Sequence, residues 1–172
     1  MAGIGTSWKR FSVHVNQTSV DFIPMEWLSD EEQATWSAYI RLRQRLDAAI
    51  AAGLAQDGLS AADYELMVAL SAAPGDCLRA KDLAAEVCWE KSRLSKHLAR
   101  MAARGLVDRQ PVAEDARGVL VQLTSEGRAL LERAAPNHVQ LVRELFIDCV
   151  TPTEADAIQA LSAKVVAVVE ES

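Results

Sequence analysis

Two amphipathic segments lie almost in contact along the chain, and their spacing limits what it can fold into. RAKDLAAEV at 79–87 puts Leu83, Ala84 and Val87 on one side of a short helix. After Cys88, Trp89 and the residues just beyond them comes KSRLSKHLARMAA, with Leu94, Leu98 and Met101 on its apolar face. Helices joined by so tight a turn must cross steeply, which is the helix-turn-helix unit. The second helix has a marked end, because Gly105 suits the left-handed position after the last turn and Leu106 follows as its apolar contact. Downstream, LVDRQP and VLVQL read as two short strands joined by the polar loop VAEDARG. A helix-turn-helix followed by a hairpin is a winged helix.

The flanking segments are helical. Ser29 with Glu32 forms a capping box for a long helix reaching about Ala55, which carries Trp36, Tyr39, Ile40, Leu46 and Ile50 on its apolar side. Ser60 and Asp63 open a second helix through Tyr64, Met67, Val68 and Leu70, and Pro74-Gly75-Asp76 breaks the chain after it. Thr124 caps a later long helix in which Pro136 is expected to make a bend. Thr151, Pro152 and Glu154 start a last helix with the stripe Ile158, Leu161, Val165, Val166 and Val169. The expected fold is mainly α with a small β-hairpin wing. A winged-helix DNA-binding domain at 58–123 is flanked by helical regions at 27–57 and 124–172. Their apolar surface exceeds what the central unit can cover, so dimerisation through them is expected. Residues 1–26 form an N-terminal extension with no helical period, which reads equally as a short strand or an ordered arm.

Charge is unevenly distributed in a chain of net charge -6. Between Arg79 and Arg117 nine Lys or Arg face six acids, a local net of +3 that leaves -9 on the rest. On the second helix of the pair, Arg93, Lys96, Arg100 and Arg104 share a stripe roughly 80° wide. A solvated face explains such a stripe in isolation. Within a helix-turn-helix it lies where the second helix enters the major groove, and phosphate attraction is local on the scale of a Debye length of about 8 Å. Arg93 is the leading base reader, since a guanidinium matches guanine O6 and N7. Ser92, Ser95 and Lys96 suit bases or phosphates, and Arg100 and Arg104 suit the DNA backbone. His97, between the two faces, favours packing. At the hairpin, Arg117 is placed to enter the minor groove with Asp115 restraining the loop, against the plainer reading of an ordinary turn ion pair.

Asp115-Ala116-Arg117-Gly118, Leu123-Thr124 with Gly127, the segment ARGLVDRQ and the order of helices make the sequence similar to the MarR family of bacterial-type transcriptional regulators over residues 28–170. The resemblance implies a homodimeric winged-helix protein that binds double-stranded DNA, usually a repressor released by a small molecule or an oxidant. It implies recognition-helix contacts from Ser92, Arg93, Ser95 and Lys96 and a wing contact from Arg117. Ala116 stands where family wings often carry a second arginine, and residues 1–26 have no counterpart in the common pattern.

Trp36, Tyr39 and Arg43 recur at i, i+3 and i+7, with Tyr64 and Met67 as candidates to oppose them. Aromatic walls with one cation suit a small phenolic or amphipathic effector, while the plain alternative is core packing. Cys77, Cys88 and Cys149 match no metal spacing, so no cofactor or metal is expected, and reduced thiols are the default. Cys88, near the basic helix, carries the alternative of redox sensing. A winged helix serving only protein interaction is a further alternative. His14, His97 and His138 fall in unrelated segments with no nucleophile–base motif, so no enzyme is expected. The Asn16-Gln17-Thr18 sequon lacks a secretory context, and no signal-peptide core or apolar run of about 20 residues is present, which points to the cytoplasm without membrane association.

Overall fold

The structure, a computed structural model, describes residues 27–112 and 115–171, with the side chains of 115–117 also left aside. Six α-helices and three strands follow in the order α1 (Asp30–Gln56), α2 (Ala61–Ala72), β1 (Cys77–Arg79), α3 (Ala80–Glu86), α4 (Lys91–Ala103), β2 (Val107–Val112), β3 (Asp115–Leu123), α5 (Ser125–Leu145) and α6 (Pro152–Glu170). Single turns of 3-10 helix lie at Pro74–Asp76 and Ile147–Cys149. The expected arm at residues 1–26 lies outside the described residues.

The helix starts follow from local chemistry. Ser29, Ser60 and Thr151 each accept from the backbone of the third helical residue, and Glu32, Asp63 and Glu154 return the bond to the cap backbone. Such boxes satisfy amide groups that have no partner inside the helix. At the end of α4 the Gly105 amide bonds to the Ala102 carbonyl at 2.9 Å and the Leu106 amide to the Met101 carbonyl at 3.0 Å, with Gly105 at φ +72°. That is the double bond of a Schellman motif, and it turns the chain into β2.

The junction with α5 explains another sequence signature. Thr124 Oγ1 donates to the Gly105 carbonyl at 2.6 Å and accepts from the Gly127 amide at 2.9 Å. A Cβ on Gly127 would lie 2.2 Å from the Leu106 carbonyl oxygen, so the close approach of α5 to the end of α4 requires glycine there.

The sheet departs from the expected hairpin in two ways. It has three strands in the order β1-β3-β2, all antiparallel, because Cys77–Arg79 pairs with Leu120–Gln122. Three residues are too few for a period of two to register in the sequence. The second wing strand is also longer than expected: β3 begins at Asp115, where a loop was predicted, with a register shift between Pro111 and Val112. Pro111 is tolerated inside β2 because that strand is an edge, where a missing N–H leaves no ladder bond broken. On the other side, α5 continues past Pro136 to Leu145.

The core lies between α2, α3, α4 and the sheet. Leu66, Met67, Leu70, Leu83, Leu94, Leu98, Met101, Val107 and Val121 are fully buried there. By contrast α1 buries only Leu54 and α6 buries no residue.

Candidate nucleic-acid interface

The candidate recognition surface is built on α4, whose two faces divide cleanly. Leu94, His97, Leu98 and Met101 are buried, while Ser92, Arg93, Ser95, Lys96 and Arg100 are exposed. This is the division that the wheel predicted. The helix opens at Glu90, which makes no side-chain cap bond, so the first turn is not closed over by its own cap.

Arg93 is not a loose cation. Its Cζ lies 3.7 Å from the centre of the Trp89 ring, a close cation–π stack on a residue of the turn before the helix. A guanidinium that stacks on an aromatic ring by its flat face keeps its N–H edges available in plane. The planar fork of a guanidinium has the geometry to match the O6 and N7 edge of a guanine. Lys96 makes no ion pair among the described residues.

The other two cations are tied inward. Arg100 Nη2 lies 2.7 Å from His97 Nδ1, and His97 Nε2 lies 2.9 Å from Asp63 Oδ1. Arg104 Nη1 donates to Asp63 Oδ2 at 2.7 Å, and its Nη2 donates to the Gly58 carbonyl at 2.8 Å. Arg104, expected at the DNA backbone, ties the end of α4 to the start of α2 in the single chain while its side chain stays 43% exposed. His97 packs as expected, with its ring edge-on to Trp89 at 5.5 Å, but it also links Asp63 to Arg100.

Asp63 is the hub that sequence reasoning missed. Its signal was present, since it is the third residue of the α2 capping box, but a cap residue gives no hint of distant partners. It is 3% exposed. Burial alone raises its carboxyl, yet bonds from the Ser60 amide, Arg104, the Ser60 hydroxyl and His97 outweigh burial and hold it below the ordinary carboxylate value. Trp89 was missed as well, four residues before the arginine that it carries.

On α1, Trp36 and Tyr39 form a tilted pair with ring centres 5.6 Å apart, and Arg43 Cζ lies 6.0 Å from the Tyr39 ring centre. Both rings are about half exposed in the single chain, so they lie outside its own core. The opposing wall is not the predicted one. Met67 is fully buried in the central core, and Tyr64 stacks on His138 of α5 at 4.4 Å. Burial raises the Tyr64 hydroxyl and lowers the His138 imidazole from their ordinary values. A hollow of about 140 Å³ opens instead along α5, lined by His138, Val139, Val142, Arg143 and Ile147. The side chains of Asp115 and Arg117 lie outside the described residues. Cys88 is exposed at φ +52°, and Cys77 is partly buried.

The family pattern named MarR matches residues 57–118, the stretch from the end of α1 into β3. The crystal structure of AbsC, a MarR family transcriptional regulator from Streptomyces coelicolor, superposes with a TM-score of 0.82 at 33% identity, covering 86% of this chain and 99% of that one. The chain belongs to the MarR family of transcriptional regulators. Sco3205, another member from Streptomyces coelicolor solved in complex with DNA, matches at 34% identity and a TM-score of 0.79 over 82% of this chain and 89% of its own. The uncharacterised HTH-type transcriptional regulator YdgJ of Bacillus subtilis (strain 168) is 30% identical over 89 residues. That alignment spans 53% of YdgJ, about half its length. Members of the family are DNA-binding regulators and not enzymes. No described helix is long and apolar enough to cross a membrane.

Proposed function

We propose that this chain is a repressor that binds a palindromic operator as a homodimer and is released by a small effector in the cytoplasm. The observation that carries the reading is the solvent-facing row on α4, where exposed Arg93 rests on Trp89 beside exposed Ser92, Ser95 and Lys96. In this reading Arg93 reads a guanine, Ser92, Ser95 and Lys96 contact neighbouring bases or phosphates, and Arg100 meets the DNA backbone. Arg117 carries the wing contact with Asp115 beside it. The unit at 58–123 binds DNA, and 27–57 with 124–172 forms the dimer. Ile158, Leu161, Val165, Val166 and Val169 support that division, because a long apolar face left in water calls for a partner surface. Two-fold symmetry then presents two recognition helices to half-sites about one helical turn apart, roughly 10 bp.

The effector half of the reading rests on Trp36, Tyr39 and Arg43, two half-exposed rings with a cation on one helix face. Such a surface suits a small phenolic or anionic compound, and a coupling of about 1.4 kcal/mol is enough for a tenfold loss of DNA affinity.

Selection of bound sites from random DNA tests the reading. Enrichment of a palindrome is expected, with Arg93→Ala relaxing the preference at one guanine by about 1–3 kcal/mol. Binding without sequence preference rejects it. Titrating salicylate-like compounds into the protein–DNA complex, with Trp36→Ala and Arg43→Ala as controls, tests release. Release by peroxide alone that Cys88→Ser abolishes replaces the effector with a redox signal.

A further inference from the structure

The arrangement of hydrogen atoms around His97 follows from its neighbours. An ionised carboxylate only accepts, and a guanidinium only donates. Asp63 is held ionised by the four bonds described above, so the proton between it and His97 belongs to Nε2, at 2.9 Å from Oδ1. Arg100 can only donate into the 2.7 Å contact with Nδ1, so that nitrogen must be bare. One neutral tautomer satisfies both neighbours. A doubly protonated ring satisfies Asp63 and turns an N–H against the Arg100 cation.

The ring is also unable to shift. It is 8% exposed, it lies edge-on to Trp89, and Asp63 is anchored by the α2 cap and by Arg104. His97 is therefore a rigid acceptor three residues before an exposed arginine that would otherwise sample many rotamers. An arginine loses rotamer freedom when it is immobilised, so a pre-set guanidinium binds phosphate with part of that cost already met.

We infer that His97 is a positioning residue for DNA binding: as the Nε2–H tautomer anchored on Asp63, it holds the Arg100 guanidinium where it meets the DNA backbone. The inference rests on the reading of Arg100 as a backbone contact, and the two are separable by experiment.

The test is a double-mutant cycle at the selected DNA site, measured across a salt series. Gln at position 97 can still donate to Asp63, but it cannot also reach Arg100 on the far side of the former ring. His97→Gln is expected to weaken binding to all sequences and to lower the salt slope toward that of Arg100→Ala, which loses about one unit. In the Arg100→Ala background, His97→Gln is expected to add nothing. Equal loss from His97→Gln in both backgrounds overturns the inference and leaves the Arg100 contact standing. An Arg100→Ala protein with wild-type affinity and slope overturns both. Nitrogen NMR of the unmodified protein near neutral pH gives a readout that needs no variant: a bare Nδ1 with protonated Nε2 is expected, and a protonated Nδ1 overturns the inference.

Discussion

The central unit and the terminal helices use the same amino acids to opposite ends. On α4, Leu98 is 1% exposed, and on α6, Leu161 is 60% exposed. Both sit on helices with a clear apolar stripe, so the stripe alone does not say where it will be buried. Around α4 the chain supplies its own partners, namely α2, α3 and the sheet. Around α6 it supplies none that buries a residue. Stability in the first region belongs to the chain, whereas in the proposed dimer that of the second depends on another copy and hence on concentration.

The largest effect is expected from attacking the terminal helices. If the proposed dimer forms through these helices, Leu161→Glu together with Val165→Glu should abolish DNA binding and leave monomer or unfolded chain in sedimentation experiments. A double variant that remains dimeric and binds its operator would remove the contrast between the regions. Next, Met101→Ala should cost about 2–5 kcal/mol, because it opens a cavity at a fully buried site. Its deficit in thermal unfolding should stay constant as protein concentration is varied, unlike that of an α6 variant.

Gly127→Ala addresses the seam between the regions, where α5 leaves the wing. The new Cβ would meet the Leu106 carbonyl, so a loss of about 1–3 kcal/mol is expected on denaturant unfolding, with Ser125→Ala as an exposed control of little effect. The smallest effect is tied to acid. The folded state holds Asp63 below its ordinary value, so its contribution is fully present above the unfolded value of about 3.9 and is lost as pH falls through the lower, folded one. Asp63→Asn should flatten that acid limb of the stability profile while leaving the limb above neutrality unchanged.

Much of this architecture was legible along the chain. The three capping boxes, the glycine turn after α4, the order of helices and the buried and exposed faces of α4 all depend on residues within about four positions of each other. The wing was legible as a hairpin but not in extent, because the register shift at Pro111 and Val112 depends on how the strands pair. Strand β1 was not legible at all. It exists only because Cys77–Arg79 lies beside Leu120–Gln122.

The recognition site divides in the same way. Ser92, Arg93, Ser95 and Lys96 could be named from helical spacing, because solvent exposure on one helix repeats with its own period. What the fold alone decided is which cations of the stripe are bonded to distant residues of the chain. Arg104 and His97 are 41 and 34 residues from Asp63 in sequence, and no local pattern couples them. Met67 likewise matched a pocket wall by spacing yet became core, since packing around α2 and not its own periodicity chose the side it faces. Helix propensity, caps and turns act over one or two turns of backbone and are written into the sequence. The partner of a buried charge or of an apolar face is selected by which elements meet, and that is determined only when the whole chain has closed on itself.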